Sequence, residues 1–382
     1  METPSIDHGA APMALERLFI TCGGTGGHFY PGLAIAHKFR QQGGKVILLL
    51  SGVNAKAQAE IARSQGIEAE ILPCMPHPAK KPFKFIHGLT GGFFKTIQLT
   101  KKHSPQALLG MGSFASLPAV AGIKFKRIPL FLHDGNARIG RANRWFSRWA
   151  KLIASAFPCV NANAIKAPLT ITGMPARQKL VDSRRMDKKT AISELNCLFG
   201  TNLDENRKTI LVFGGSQGAE VFNKYFPQAF MELGNHDFQI LHLCGKGKME
   251  TPQTIYNNAK FPYLLLESSE KMELFLAAAD LAACRSGGSS LAELALFGLP
   301  AILIPYPAAA EGHQTDNANV FAKENAAILI HNKDLDIQKA KDIIHDFLAN
   351  PGKWQTMSQN MASLARPEAS EELLSLIDKA VS

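Results

Sequence analysis

The chain has 382 residues, 46% hydrophobic and 19% charged, with a net charge of +10; these proportions exclude a disordered protein and leave room for two domains, each with its own core. The six cysteines (Cys22, Cys74, Cys159, Cys197, Cys244 and Cys284) form no CxxC pair, which argues against a zinc site or a disulfide framework and fits a reducing cytosol. Glu2, Asp7 and Glu16 precede the first apolar run at Leu18, so no signal peptide is expected, and no apolar run reaches the ~18 residues of a membrane span.

Taken in chain order, short apolar runs alternate with helix-like stretches. LFITC (18–22), VILLL (46–50), ALLGM (107–111), PLFLH (129–133) and LIASA (152–156) read as buried strands of a first set. TILVF (209–213), FQILHLC (238–244), YLLLE (263–267), LAAC (281–284) and AILIP (301–305) make a second set. Strands alternating with helices predict parallel sheets covered on both faces. Pro168 to Arg177 reads as the linker between the sets. Beyond Pro351 two helical stretches are expected, divided at Arg366-Pro367, the last with Leu373, Leu374, Ile377 and Val381 at helical spacing.

The two sets share an internal repeat. LFIT runs into Gly23-Gly24-Thr25-Gly26-Gly27-His28, and ILVF into Gly214-Gly215-Ser216-Gln217-Gly218-Ala219. A glycine-rich turn at a helix start presents free N–H groups and the positive end of the helix dipole, both suited to phosphate. A dinucleotide oxidoreductase is excluded on two counts: Phe29 stands where its third glycine belongs, and the second strand ends Leu50-Ser51-Gly52 with no acid for the ribose. No G-K-[ST] follows either loop, which excludes a Walker-type NTPase.

Charge is unevenly spread. Residues 1–176 carry 21 Lys and Arg against 7 Asp and Glu, whereas the remainder carries 21 against 25; between Ile71 and Ala176 a single acid, Asp134, stands among 15 bases. An anionic partner for the first half is one reading, a solvated basic face the other. No helix-turn-helix or RNA-binding aromatic motif is visible, so nucleic acid is not expected. In the second half, Arg285-Ser286-Gly287-Gly288 opens a helix for which Ser286 is the expected N-cap. Glu293 lies within that helix, where a carboxylate accepting both ribose hydroxyls would justify an acid near a phosphate site.

GGTGGHFYPGLAIA (23–36), GMGSF (110–114), LHDGNARIGRANR (132–144), GMPAR (173–177), FGGSQGA (213–219), ACRSGGSSLAE (283–293) and HQTDNA (313–318), in this order, resemble the MurG family of glycosyltransferases. The resemblance covers nearly the whole chain from Leu18. It implies an α/β protein of the GT-B fold, two doubly wound Rossmann-like domains with a cleft between them. Residues 15–175 would form the acceptor- and membrane-binding domain, completed by a C-terminal helix at 367–382, and residues 176–366 the donor domain. It also implies inverting transfer of N-acetylglucosamine from UDP-N-acetylglucosamine to the 4-hydroxyl of a polyprenyl-pyrophosphate-linked muramoyl-peptide, with no bound cofactor or metal, at the cytoplasmic face of the inner membrane and alongside other cell-wall synthesis proteins. A GT-B transferase with another lipid or small-molecule acceptor is the alternative.

The family's roles fall on this sequence as follows. Ser216 and Arg177 would face the diphosphate, Glu293 the ribose, and Gln314 with His313 the sugar, while Thr25, Gly26, Gly27 and Asn136 would close the donor site from the other domain. The acceptor would meet Gly24, Gly27, His28, Gly110, Gly112 and Ser113. His28 would act as general base or orient the acceptor, its pKa lowered by the helix dipole. The family's usual G-M-G-G-Y is here Gly110 to Phe114 with Ser113 and Phe114 replacing Gly and Tyr, and its H-E-Q-N is His133-Asp134-Gly135-Asn136. Finally, Lys80, Lys81, Lys84, Ile86, Leu89 and Phe93 read as an interfacial membrane contact, apolar groups set among cations. The competing reading puts Phe83, Ile86, Phe93 and Ile97 on the inward stripe of a sheet-covering helix.

Overall fold

The computed structural model describes residues 14–75, 82–215, 218–233 and 237–382. Ser216, Lys80 and Lys81 lie outside them. Among the described residues, thirteen strands form two parallel sheets. The first contains β1 (Arg17–Thr21), β2 (Lys45–Leu50), β3 (Glu68–Ile71), β4 (Ala107–Gly110), β5 (Leu130–Asp134), β6 (Ala150–Ser155) and β7 (Leu169–Ile171), in the spatial order β3-β2-β1-β4-β5-β6-β7. The second contains β8 (Lys208–Phe213), β9 (Phe238–Leu243), β10 (Tyr263–Leu266), β11 (Leu281–Cys284), β12 (Ala301–Leu303) and β13 (Ala327–Leu329), in the order β10-β9-β8-β11-β12-β13.

Every strand pairing is parallel. The loops at the C-terminal strand ends of each sheet therefore gather on one side, and strand order reverses direction at β1/β4 in one sheet and at β8/β11 in the other. Such switch points open a crevice for ligands. The glycine loops follow β1 and β8, the strands at those points.

Apolar side chains cover both faces of both sheets. Ile20, Leu48, Leu109 and Phe131 lie in a core on one face of the first sheet, and Phe19, Ile47, Leu108 and Leu132 in a core on the other. Leu211, Leu241 and Leu303, against Ile210, Ile240 and Ile302, divide the second sheet likewise. The helix Pro351–Ser363 packs on the second sheet through Trp354, Met357 and Met361, whereas the final helix Ala369–Val381 returns to the first, burying Leu373, Leu374 and Ile377 beside Leu33 and Phe39.

The structure corrects three sequence expectations. The supposed linker begins with strand β7, so the crossing between sheets is confined to residues 172–177. Ser286 does not cap its helix: Gly287 holds that position, and the Ser286 hydroxyl donates to the Gln314 carbonyl at 2.8 Å. The inward stripe supposed for helix Pro82–His103 is wrong at Phe83 and Ile86, which are exposed; Gly88, Gly92, Thr96, Leu99 and Thr100 face inward. Small residues four apart share one helical face, and a Cβ on Gly92 would lie 2.7 Å from that of Pro118 in helix Leu117–Phe125. The glycines serve close helix packing.

Candidate active site

Three loops of the first sheet meet around His28. After β1 the chain turns through Gly24 (φ +105°), whose carbonyl accepts from Asn54 Nδ2 at 3.0 Å, and enters helix Gly26–Gln41. Thr25 occupies the N-cap position, but its hydroxyl makes no bond to the helix backbone. It lies 2.9 Å from His28 Nδ1 instead, holding the imidazole three residues on. After β4 the backbone at Gly112 has φ +91°, and an added Cβ would sit 3.4 Å from His28 Cδ2 and Nε2 and 3.3 Å from Asn143 Nδ2. Gly112 is thus the floor beneath the ring. Ser113 follows with φ +72° and ψ 146°, a conformation in which a glycine is at ease and a serine is strained. Gly110 is the buried last residue of β4, between Thr21 and Leu132 in the sheet.

After β5, buried Asp134 organises the third loop through four hydrogen bonds. Its Oδ1 accepts from Asn136 N (3.2 Å) and Nδ2 (3.3 Å), and its Oδ2 from Gly140 N (2.9 Å) and Asn143 Nδ2 (3.0 Å). His133, also buried, donates from Nε2 to the Gly173 carbonyl, tying β5 to the crossing between the sheets. Burial holds the His28 imidazole below its ordinary range; Asp134 pulls the other way, and His313 adds to the lowering. The sequence argument gave this lowering to the helix dipole, whereas desolvation is its leading cause here.

In the second sheet, Glu293 sits half-buried on helix Gly288–Leu296. Burial pushes its carboxyl up to about 7, against the pull of Arg177, whose Nη2 is 4.0 Å from Oε1. The Arg177 guanidinium also lies 5.8 Å from the centre of the Tyr30 ring, so it touches both halves of the molecule. His313 Nδ1 donates to the Ala310 carbonyl at 2.8 Å; Gln314 Oε1 accepts from Tyr306 N at 2.9 Å.

A polar seam joins the halves. Fully buried Asn317 accepts from Ala137 N (2.7 Å) and donates to Asn136 Oδ1 (3.1 Å) and the Ser286 carbonyl (3.0 Å). Arg138 pairs with Asp316, and Arg144 and Arg141 with Glu311. These arginines hold the Glu311 carboxyl below its usual range, Arg144 foremost. A Cβ on Gly288 would lie 1.8 Å from the Gly135 carbonyl, so the closest approach of the two loops admits no side chain.

His28, Thr25, Gly112 and Asn136 are thereby brought to one wall, and Arg177, Glu293, His313 and Gln314 to the other. Sequence reasoning missed Asn143, Asn317, Tyr30 and the Arg–acid pairs as site-builders, and it did not single out Asp134 for the site. Asp134 had one signal, as the lone acid in a basic stretch. The others act through contacts between residues as many as 181 positions apart.

A second surface lies on the first half of the molecule. Phe83 is 86%, Phe94 67% and Phe125 66% exposed, and Ile86 and Lys84 are exposed beside them, whereas Leu89 and Phe93 are half-buried. Phe93 packs edge-on against Phe94 and Phe125, Lys124 lies over Trp149, and Arg148 lies over both Trp145 and Trp149. Aromatic and cationic groups thus continue from one helix to the next. Among the described residues no helix is long and apolar enough to cross a membrane.

Comparison with known proteins places this architecture. Residues 18–155 match the glycosyltransferase family 28 N-terminal domain, and residues 209–373 its C-terminal domain. A UDP-N-acetylglucosamine–N-acetylmuramyl-(pentapeptide) pyrophosphoryl-undecaprenol N-acetylglucosamine transferase of Desulforamulus reducens is 32% identical over 379 residues, covering 95% of this chain and 98% of that protein. The Streptomyces coelicolor protein of the same name is 31% identical, covering 94% and 96%. The crystal structure of Acinetobacter baumannii MurG superposes with a TM-score of 0.76 at 25% identity, over 95% of this chain and 99% of that one. A UDP-GlcNAc 2-epimerase from Neisseria meningitidis, at 13% identity and a TM-score of 0.68, shares the fold.

Proposed function

This chain belongs to glycosyltransferase family 28, and on that premise we propose that it transfers N-acetylglucosamine from UDP-N-acetylglucosamine to the muramoyl 4-hydroxyl of a polyprenyl-pyrophosphate-linked muramoyl-pentapeptide. The observation that carries the reading is the seam through Asn317, which fixes the loop beside His28 against the helix that bears Glu293.

In this reading Glu293 accepts the ribose hydroxyls, and Arg177, with the loop containing Ser216, meets the diphosphate. Gln314 and His313 read the sugar, and Thr25, Gly26, Gly27 and Asn136 close the donor site. Gly24, Gly112 and Ser113 border the acceptor. His28, kept neutral by burial, takes the proton of the attacking hydroxyl. A new C–O bond forms at the anomeric carbon as the bond to UDP breaks, and the electron pair leaves on the β-phosphate, which the N-terminal ends of helices are suited to stabilise. The products are UDP and an inverted, disaccharide-bearing lipid. No covalent enzyme intermediate is needed.

Residues 15–175 with the last helix form the acceptor half, and residues 176–366 the donor half. The aromatic and basic surface around Phe83, Phe94 and Phe125 rests on the anionic cytoplasmic face of the inner membrane, where the polyprenyl chain is anchored. Parallel assays with the muramoyl lipid and with diacylglycerol test the acceptor. Turnover of the first alone supports the reading; turnover of diacylglycerol alone replaces it with the lipid-glycosylating alternative.

A further inference from the structure

The far end of the first sheet, where the strands begin, carries a cavity that the cleft chemistry does not use. It has a volume of about 290 Å³. Arg17 and Lys45, paired first residues of β1 and β2, stand on its wall with Glu68, the first residue of β3. Arg40 reaches it from the end of helix Gly26–Gln41, and His103 from the end of helix Pro82–His103. Phe19 lies behind, its ring edge-on to the His103 imidazole at 6.2 Å.

Two of these cations are already partly engaged. Arg17 donates to the Ser104 carbonyl and to Glu16, and Arg40 to the Gly66 carbonyl. The other two polar groups make no hydrogen bond among the described residues. Lys45 Nζ has no partner among the described residues. His103 Nε2 is buried without a hydrogen bond, its nearest acid, Glu68, being 4.0 Å away. A buried nitrogen left unpaired costs free energy that a bound ligand recovers. Arg17, Arg40 and Lys45 outnumber Glu68 and the Glu16 carboxylate paired with Arg17, a balance that favours an anion, and guanidinium forks match phosphate oxygens. The cavity is much larger than a single water needs, with apolar wall from Phe19, Ile47 and Ile67. Inorganic phosphate would leave most of it empty.

We propose that this cavity binds a small organic phosphate, a phosphorylated sugar-sized molecule, at a site separate from the donor cleft. Its phosphate meets Lys45, Arg17 and His103, and its body lies against Phe19. Parallel strands put the two sites at opposite ends of the sheet, so a ligand in one does not obstruct the other.

The test is a titration of the full chain with glucose 6-phosphate, followed by calorimetry and by the histidine ring resonances, with His103 assigned from its loss in His103→Gln. The expected result is saturable binding that moves the His103 resonance, leaves those of His28 and His313 in place, and persists with UDP at saturation. Lys45→Glu, an exposed change that keeps the fold, should weaken binding by about tenfold or more, as loss of a charge-assisted hydrogen bond does. Inorganic phosphate should bind more weakly. The proposal is overturned by no saturation up to about 10 mM, a range that detects even millimolar affinity. Equal affinity in Lys45→Glu, or displacement by UDP, overturns it too. Inorganic phosphate binding as tightly as the sugar phosphate would remove the organic part of the claim.

Discussion

Arg138 Nε lies 2.5 Å from Asp316 Oδ2, an ion pair between the loop that follows β5 and the helix His313–Lys323 that carries the proposed sugar-reading residues. The pair joins the two sheets beside the buried Asn317 bridge, so it ties the wall that holds His28 to the wall that holds Glu293. Arg138→Ala and Asp316→Ala should each lower kcat/KM, and the double mutant should lose little more than either. Contacting charged pairs show couplings of about 0.5–3 kcal/mol in such cycles. Additive effects would mean that the pair does not hold the walls together. Because both side chains are partly exposed, rising salt should depress wild-type kcat/KM more than that of the double mutant.

Glu293 links a pH effect to donor binding. Its carboxyl is raised from 4.5 to about 7 by burial. A raised folded-state pKa favours the protonated form, so this stabilisation is full below about pH 4.5 and is lost as pH rises through about 7. At ~1.4 kcal/mol per unit, the shift is worth up to about 3 kcal/mol. Glu293→Gln should flatten stability against pH across that window, as measured by urea unfolding. The ionised carboxylate is the better acceptor for ribose hydroxyls, so UDP affinity should rise from pH 6 to pH 8 more steeply in wild type than in Glu293→Gln. Glu293→Ala should weaken UDP binding by roughly tenfold or more, the loss of a charged hydrogen bond. Calorimetry giving wild-type affinity would remove the ribose assignment.

His28 should behave as a neutral base at pH 7. Its folded-state pKa lies below 6.5, so protonation, and with it loss of kcat, should set in only on the acid side of that value. Removing a general base costs roughly 10²–10⁴ in rate. His28→Ala turnover within threefold of wild type, at saturating substrates, would exclude the role. Thr25→Val should give a smaller loss with the acid limb displaced, because Thr25 only holds the ring.

The membrane surface makes a different prediction. The protein should co-sediment with anionic vesicles, release with rising salt, and bind less when Lys80, Lys81 and Lys84 become Glu, each lysine near such a surface contributing about 1 kcal/mol. Phe83→Ser and Phe94→Ser should weaken binding without destabilising the fold, since both rings are exposed. Equal binding to neutral and anionic vesicles would defeat the electrostatic part.

What the sequence disclosed, and what it withheld, follows from where each residue stands. Ten strands were readable because they are continuous apolar runs; of the three that were not, β3 and β7 are short edge strands broken by Glu68, Glu70 and Thr170, while β13 is an apolar run of only three strand residues at a sheet edge. An edge strand covered on fewer sides tolerates the polar residues that hide β3 and β7. His28, Glu293 and Gln314 were legible because glycine loops and polar strand ends mark where ligands sit. Asn317 and Arg138 were not, because their function is to meet partners in the other half of the chain. The surface joining Phe94, Phe125 and Trp149 was hidden because it gathers rings and cations from separate segments of the first half. Ser113 shows the reverse case: only the structure reveals that a serine took a backbone conformation suited to glycine.

The central claim is that this cleft transfers N-acetylglucosamine with inversion to a muramoyl 4-hydroxyl. It is tested most directly by isolating the lipid product and reading its new glycosidic linkage by NMR while counting UDP released. The account predicts one UDP per disaccharide, a β-linkage from the α-linked donor, and attachment at the 4-position of the muramoyl sugar. UDP release without a disaccharide, an α-linked product, or sugar on any other acceptor group would contradict it.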